Sequence, residues 1–594
     1  MSFFLKFGCL SLLILIFGLI LQIWMSLPID RIETYHKQKN NMVVNKHGDK
    51  EVETYDYIVI GAGSAGSVVA SRLSEHRWNN VLLLEAGGSD NDLNIKIPAL
   101  FAELFNKEFD WFYHTVPQIH SNNISVYIPR GKVLGGSSSM NAMLYVRGTS
   151  RDYDNWEKLG HKGWSWKDVL PYFKKSEQHS NPNRNKTFHG SSGKWIISSI
   201  KEVDYVERLV YNAFKKIHNL KHIEDFNAVE EPTEGASFHD TNVHNGNRFS
   251  LADAFLGQEV LERSNLYIYT HAHVKKIIFD ESKRAIGVEV FFQKYNKSKT
   301  IYVKKEIILS AGAINSPQIL QLSGIGDEEL LNRLNITIVY SNSQVGQNFH
   351  DHICVANLFQ LKEPLSLHKY THFPYNIIAL LQNLLFGKGP LATANVHKDA
   401  YYHSSVNKKE KSDWPDMQLT GLNAIFRRYY ENFDNIENGG YTLGHAILNP
   451  KGRGYVAIQS NNFKDKPLID PKIYENKDDY DRMLEAFLTH RDLPNYDEDL
   501  KRVTKGEFFG GDKYETKEDI ENYIKNYTSL LYHPVGTCSM GTVVDERLRV
   551  KGVTGLRVVD ASIMPVITRA NTNAPTVMIA EKASDMIQED TGNN

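Results

Sequence analysis

The chain has 594 residues, 41% of them hydrophobic and 23% charged, enough to bury a large core and too many for one ordinary domain. A formal net charge of -2, with no block of like charge, excludes the basic surplus that a phosphate backbone requires, so nucleic acid is not an expected partner. The three cysteines, Cys9, Cys354 and Cys538, are far apart and form no CxxC pair, so neither a disulfide framework nor a zinc site is indicated.

From Phe7 to Leu27 the chain is almost wholly apolar, with Ser11, Gln22 and Ser26 as its clearly polar residues and Lys6 before it. Such a segment addresses a chain to the secretory route. Its length lies between a signal-peptide core and a spanning helix, and no A-x-A-like cleavage site precedes Pro28, which leaves residues 1–27 as a signal peptide or a retained signal anchor. Arg31, Lys37 and Lys39 outnumber Lys6 and favour a cytoplasmic body if the segment stays. Against that, Asn123, Asn185, Asn296, Asn335 and Asn526 each head an N-x-S/T acceptor, which has meaning only in the secretory lumen and supports a secreted or lumenal glycoprotein. Residues 28–53, polar and without periodicity, read as a flexible lead-in.

The fold is expected to begin at the apolar run Tyr55–Ile60, which flows into GAGSAG at 61–66 and then VLLLEAGG at 81–88. This reads as strand, turn, helix over Ala65–Ser74, and strand. Gly61 permits the tight turn, Gly63 lets a pyrophosphate approach the backbone, and Gly66 lets the helix pack close to the strand; the free amides at the helix start then face the phosphates. Glu85 closes the second strand, where a carboxylate accepts hydrogen bonds from a ribose. Because strand, amphipathic helix and terminal acid all agree, a bound dinucleotide is predicted over a plain glycine-rich turn.

Farther on, GKVLGGSSSMNAM at 131–143 sets Gly131, Gly135 and Gly136 beside Ser137, Ser138 and Ser139. Backbone amides there approach an anion or a ring plane closely and hydroxyls complete the shell; a serine-rich surface loop is the alternative. The spacing of Trp166, Val169, Leu170 and Phe173 predicts a core-packed helix over 166–178. Two strand pairs are expected, Leu266–Ile268 with Val274–Phe279 and Gly287–Phe292 with Ile301–Val303. EIILSAG at 306–312 then opens a second strand-to-helix turn that continues as helix over Gln318–Leu322. The interval 355–525, richer in aromatics and without dinucleotide-type glycine turns, suits a domain that builds a substrate cavity.

Near the end, His533 precedes a proline and a glycine turn in HPVGTCSMG, at the mouth of an irregular segment where a histidine accepts a proton near neutral pH. A structural histidine bonded to backbone is the alternative. Asn571 and Asn573 lie beyond a strand ending in Asp560, where a side-chain amide donates to an alkoxide or a ring carbonyl, or else caps a helix.

Taken together, these segments resemble the glucose-methanol-choline (GMC) oxidoreductases, flavoenzymes that oxidise alcohols with FAD, over residues 54–588. GKVLGGSSSMNAMLYVRG at 131–148 is similar to the family's first signature and GAINSPQILQLSGIG at 312–326 to its second. VGQNFHDH at 345–352 and the closing HPVGTCSMG, VVDASIMP and NTNAP series fit as well, and the wording looks closest to insect members of the FAD-linked glucose dehydrogenase type. The resemblance implies an α/β fold with a Rossmann-type FAD-binding domain and a second, substrate-binding domain built on an antiparallel sheet. It divides the chain into 54–352 for FAD, 353–528 mainly for substrate, and 529–588 returning to the flavin. It also implies that Gly61, Gly63, Gly66 and Glu85 hold the ADP half of FAD, and that Val274 makes a backbone contact near the adenine. Asn141 and the 135–139 loop, with Gly135 and Ser137, would lie where the isoalloxazine rests, and Asp560, Ala561 and Asn573 would bring the C-terminal segment to the flavin. His533 falls on the catalytic histidine and Asn571 on its partner, which is histidine in some members and asparagine in others. Relatives that attach FAD covalently carry a histidine where this chain has Met140, so FAD is expected to be non-covalent.

The implied reaction is hydride transfer from a small-molecule alcohol to flavin N5, with His533 taking the hydroxyl proton, then reoxidation by oxygen or a quinone-like acceptor. Rivals are a peroxide-forming secreted oxidase of steroid or aryl alcohols, a catalytically silent FAD-binding protein, a nicotinamide enzyme and a light-driven fatty-acid decarboxylase. No second GxGxxG turn serves a nicotinamide, and His533 with Asn571 argues against a silent protein. The same frame serves many alcohols, so these motifs do not specify the substrate.

Overall fold

The computed structural model describes residues 53–592 apart from 201–202, 232, 397, 426–437 and 509–513; the leading segment, with the signal or anchor expected at 7–27, lies outside the described residues. Two seven-stranded sheets organise the chain. The first has Thr54–Ile60 near its centre, paired in parallel with Val81–Leu84 on one side and with the long strand Lys297–Leu309 on the other. Tyr55–Ile60, Val81–Leu84 and the Ile307–Leu309 end of the long strand are hydrophobic runs buried on both faces, as a parallel sheet covered by helices requires. Helix Ser64–Leu73 covers one stretch of it and carries Arg72, whose guanidinium makes two 2.8 Å bonds to the buried Glu581 carboxylate of the C-terminal helix Asn573–Asp590. That fork fixes two helices, about five hundred residues apart in sequence, at the same face.

Strand Lys297–Leu309 changes partners along its length. Its first half pairs antiparallel with Ala285–Phe292, and its last three residues pair in parallel with Leu556–Val558, which brings the chain end back to the sheet. The expected pairing of Gly287–Phe292 with Ile301–Val303 is present. The other expected pair is not. Leu266–Tyr269 runs parallel to Val81–Leu84, and Ala272–Phe279 pairs instead with Ala285–Phe292. Two features set this arrangement. The Asn265 side-chain amide donates to the carbonyls of Ser74, His76 and Asn79, tying the strand start beside Val81. His271, at φ 54°, then turns the chain across the strand end, where the Ala272 amide meets the Glu85 carbonyl at 2.8 Å.

The helix expected over 166–178 spans Trp166–Ser176. It stops short because Glu177–His179 forms a small parallel strand with Trp195–Ile197, and the Glu177 carboxylate is held at 2.6 Å by the buried Arg147. The second sheet is antiparallel throughout, in the order Thr504–Glu507, Ile353–Leu361, Gly440–Ile447, Met417–Leu422, Lys398–Tyr402 and Gly235–Phe238, with Ser529–Leu530 also on Ile353–Leu361. One core lies under the parallel sheet and a second under the antiparallel one. None of the described helices is long and apolar enough to cross a membrane.

Candidate active site

A cavity of about 360 Å³ lies between the two sheets, and residues from the whole length of the chain line it. At one end is the glycine turn. Gly61 has φ 95°, and a Cβ there would stand 2.5 Å from the Ser310 carbonyl oxygen; a Cβ on Gly66 would stand 1.8 Å from the Gly61 carbonyl oxygen. The helix therefore starts flush against the strand and presents Gly63, Ser64 and Ala65 to the cavity. Gly136 crosses so close that its Cβ would meet Gly63 Cα at 2.7 Å, which is how the 131–141 loop reaches the same cradle. Gly135, at φ 82°, turns that loop.

Glu85 lines the cavity with both oxygens engaged, Oε2 by the Ala62 amide at 2.9 Å and Oε1 by the Gly87 amide at 2.8 Å. Burial pushes its carboxyl up to about 7, a rise that the two amides and Lys132 hold in check. Asp560 is likewise consumed by the protein: its carboxylate accepts from the Ser562 amide, the Gly312 amide and the Ser316 hydroxyl at 2.6–2.9 Å. It ties the start of helix Gly312–Leu322 to the returning chain and so sets Ala561 against the cavity. Val274 borders the cavity from its strand.

The opposite end of the cavity is assembled by the C-terminal segment. Tyr532 sits at φ 67°, an uncommon conformation for a bulky residue, held because Arg130 donates to its carbonyl at 2.8 Å and the following His533 amide donates to Asp351 Oδ1 at 2.8 Å. The His533 ring is half-buried at the cavity wall. Its Nε2 lies 3.2 Å from Asn571 Nδ2, and its Nδ1 lies 3.0 Å from His352 Nδ1. Burial, then the nearby His352 and Arg130, hold the His533 imidazole well below the usual histidine range, so it is neutral at neutral pH. Burial likewise lowers His352 to about 4. The ring nitrogens meet side chains, so His533 is not a backbone-bonded structural histidine.

Helix capping is not what Asn571 and Asn573 do. The residue before helix Asn573–Asp590 is Thr572, whose side chain makes no capping bond. Asn573 Oδ1 accepts from Ser64 at 2.7 Å, while its buried Nδ2 and the buried Asn571 Oδ1 have no partner in the protein. Unpaired buried polar atoms at a cavity wall are what a bound polar group satisfies.

The sequences of residues 55–354 and 450–580 match the two profiles of one family, described as GMC oxidoreductase. The chain belongs to the GMC oxidoreductase family. It is 37% identical over 547 residues to the alcohol dehydrogenase [acceptor] of Pseudomonas putida, covering 90% of this chain and 95% of that one, and 36% identical over 549 residues to the oxygen-dependent choline dehydrogenase of Vibrio vulnificus, covering 90% and 94%. Among solved structures, pyridoxine 4-oxidase from Mesorbium loti is 28% identical with a TM-score of 0.78, covering 89% of this chain and 98% of that one. A mutated form of Aspergillus oryzae formate oxidase, 24% identical with a TM-score of 0.84 over 92% of this chain and 100% of that one, has the same fold. As a GMC oxidoreductase the chain is an FAD-dependent enzyme acting on CH–OH groups, and its two-sheet α/β architecture is the family's.

In this GMC oxidoreductase the expected FAD contacts Gly61, Gly63, Glu85, Ser137, Asn141, Val274, Asp560, Ala561 and Asn573 all border the one cavity, as do His533 and Asn571. Gly66 and Gly135 stand behind it and act through backbone shape. The three-serine loop corrects one expectation. Ser138 and Ser139 are buried and turn their hydroxyls back to the Gly135 and Leu134 carbonyls, each at 2.6 Å, because a buried hydroxyl must find its partner within the fold. Only Ser137 of the three lines the cavity. Sequence reading missed three residues. Arg248 is fully buried and clamps the loop, donating to the Ser138 carbonyl and to the carbonyl and Oδ1 of Asn141 at 2.6–3.1 Å; burial lowers its guanidinium to about 9. Arg130 and His352 frame His533. The only local signal for His352 was its place at the close of VGQNFHDH.

Proposed function

We propose that this chain oxidises an uncharged alcohol, with His533 as the base and Asn571 as its partner. The observation that carries this reading is the cavity floor. The antiparallel sheet presents alternate residues to the cavity: Cys354 and Ala356; Gln418, Thr420 and Leu422; Thr442, Gly444 and Ala446. Strand side chains alternate faces, so this set is one surface, and it is small and neutral. Of the described residues lining the cavity, the carboxylates are Glu85 and Asp560, both already bonded to backbone amides at the cofactor end. A quaternary ammonium such as the one in choline is held by a carboxylate together with an aromatic face; the rings that line the cavity, Phe101, Phe105, Trp111 and Tyr532, come with no carboxylate beyond the two already engaged at the cofactor end.

Bound FAD supplies the hydride acceptor. The residues present fit it: the start of helix Ser64–Leu73 for the pyrophosphate, Glu85 for a ribose hydroxyl, the 135–141 loop and the unpaired Asn573 Nδ2 for the ring system. The protein's part is to hold and move a proton. The two facing Nδ1 atoms of His352 and His533 can share only one hydrogen, so a proton on His533 Nδ1 donates to His352 and leaves His533 Nε2 without a hydrogen, facing Asn571 Nδ2 at the cavity. That nitrogen takes the alcohol proton, while Asn571 hydrogen-bonds the oxygen as charge develops.

Met140, buried against Ile95, Leu104 and Val133, supports FAD held without a covalent bond. Acid precipitation should release the yellow colour into the supernatant, and colour kept in the washed pellet overturns this. Quinone or oxygen serves as acceptor. The signature wording supports a place with the insect glucose dehydrogenase type. A secreted or lumenal setting draws support from the five acceptor asparagines, all of which are exposed. Glycosidase treatment of native protein should then lower its mass. The deciding experiment is an anaerobic panel read by flavin bleaching: neutral alcohols should bleach the flavin and choline should not, and choline bleaching as fast as the best neutral alcohol overturns the substrate class.

A further inference from the structure

Helix Tyr375–Phe386, sequence YNIIALLQNLLF, carries more apolar side chains than it buries. A helix on a water-facing surface buries its apolar stripe and exposes its polar one. Here the buried residues are Ala379 and Asn383, one turn apart, with Asn383 Nδ2 donating to the Gly246 carbonyl at 2.8 Å. Leu380, Leu381, Leu384 and Leu385 are half-buried, and a further band of apolar side chains is turned outward: Ile377 and Ile378 are each 48% exposed, Tyr375 51%, Phe386 70%, and Phe373, just before the helix, 82%. Contiguous exposed apolar surface of this kind marks a contact site.

Charge says what the contact is. No Asp or Glu occurs between Glu363 and Asp399, and the uncharged helix is bracketed by Lys369 and Lys388. Outward aliphatic and aromatic side chains with lysines at the margins form the pattern of a helix lying in the headgroup region of an anionic bilayer. A protein partner or a second copy would be expected to offer the lysines carboxylates, and the segment from Pro364 to Lys398 has none to return. The position adds a consequence. The chain runs from this helix through Pro390–Ala392, which packs on Pro98–Leu104, to Val396. Val396 packs with Phe101 and Leu422, and all three line the cavity.

We infer that helix Tyr375–Phe386 docks this enzyme on an anionic lipid surface, with the wall of its cavity next to the membrane. The docking is separate from any anchor at residues 7–27 and does not depend on the substrate class proposed above.

The test uses the full-length, FAD-loaded chain with Cys9→Ser, since Cys354 and Cys538 are buried. A fluorophore is placed at Phe386→Cys or, as a control, at the exposed Trp78→Cys, and mixed with phosphatidylcholine–phosphatidylserine vesicles whose acyl chains carry nitroxides. The label at 386 should be quenched several-fold more than the label at 78, and the double change I377E/I378E should remove that difference while flavin reduction by a water-soluble alcohol stays unchanged. Equal quenching at both positions overturns the inference, because it reports tethering by the leading segment alone. Quenching at 386 that survives I377E/I378E overturns it as well. So does a label at 386 already shielded without vesicles, whether independently of protein concentration or only at high concentration; the first outcome assigns the face to the chain's own leading segment and the second to another copy.

Discussion

A methyl group added at Gly66 in the parallel-sheet unit would stand 1.8 Å from the Gly61 carbonyl oxygen, whereas one added at Gly444 in the antiparallel sheet would find nothing nearer than Cys354 Sγ at 3.8 Å. The two sheets face one cavity but shape it differently. The cradle is made of main chain, and its tolerances are those of backbone against backbone. The floor is made of side-chain ends on alternate strand positions, with open space above them. Dinucleotide binding therefore has almost no freedom to vary, while the alcohol end can change by one methyl at a time.

The same substitution at the two places gives the largest contrast. Gly66→Ala should abolish FAD retention, and with it soluble holoenzyme, because neither helix nor strand can retreat; a purified G66A protein with a full flavin spectrum would break the comparison. Within the site, His533→Ala should leave FAD bound but slow anaerobic flavin reduction by about a hundredfold to ten-thousandfold, the usual contribution of a positioned base. Flavin reduction at the unmodified rate would remove His533 from that role. Loss of one donor commonly costs about 3 kcal/mol, so Asn571→Ala should also be slow. Asn571→His should restore part of the rate, because a ring N–H can donate from the same place; an N571H protein no faster than N571A would argue that the amide itself is needed.

Gly444→Ala should fold and bind FAD normally, yet shift the preference between a slender and a bulky alcohol by about tenfold in kcat/KM, the scale of a single methyl in a pocket. An unchanged preference would show that substrate does not reach the floor.

Titration sharpens the comparison last. The floor side buries imidazoles: His352, His350, His533, His445 and His490 are all lowered by burial, the last two lying on the outer side of the antiparallel sheet. Each is neutral when folded and takes a proton when unfolded below its ordinary value near 6.5, so each withdraws stability as pH falls through about 6.5. Glu85, raised to about 7, works the other way, binding a proton in the fold before the unfolded chain does. Burial also raises the carboxyls of Asp152, Asp204, Asp479, Glu507 and Asp560, but the lowered imidazoles, which include His218 and His273 at about 4, outnumber them, and the melting temperature should fall between about pH 6.5 and 5; a Tm that held steady or rose on acidification would contradict neutral burial of these rings.

Much of the cradle was legible in advance because its causes are local. A strand run, three glycines and a terminal acid within about thirty residues dictate turn, helix start and ribose contact wherever they occur. The hairpin expected from Leu266–Ile268 failed for the opposite reason: short apolar runs do not carry their partner's identity, and Asn265 and His271 chose a parallel neighbour through contacts with Ser74, Asn79 and Glu85. Sequence alone thus determined the glycine-turn cradle of an FAD enzyme and, through the matched signatures, singled out a histidine and an asparagine that border the same cavity. Only the tertiary structure brought His352 within 3.0 Å of His533, buried Arg248 under the loop that carries Asn141, turned Ser138 and Ser139 away from the cavity, and set the apolar face of helix Tyr375–Phe386 outward. Backbone geometry at a glycine is a property of a few consecutive residues, whereas the proton state of a histidine or the polarity wanted by a helix face is decided by whatever the rest of the chain packs beside it.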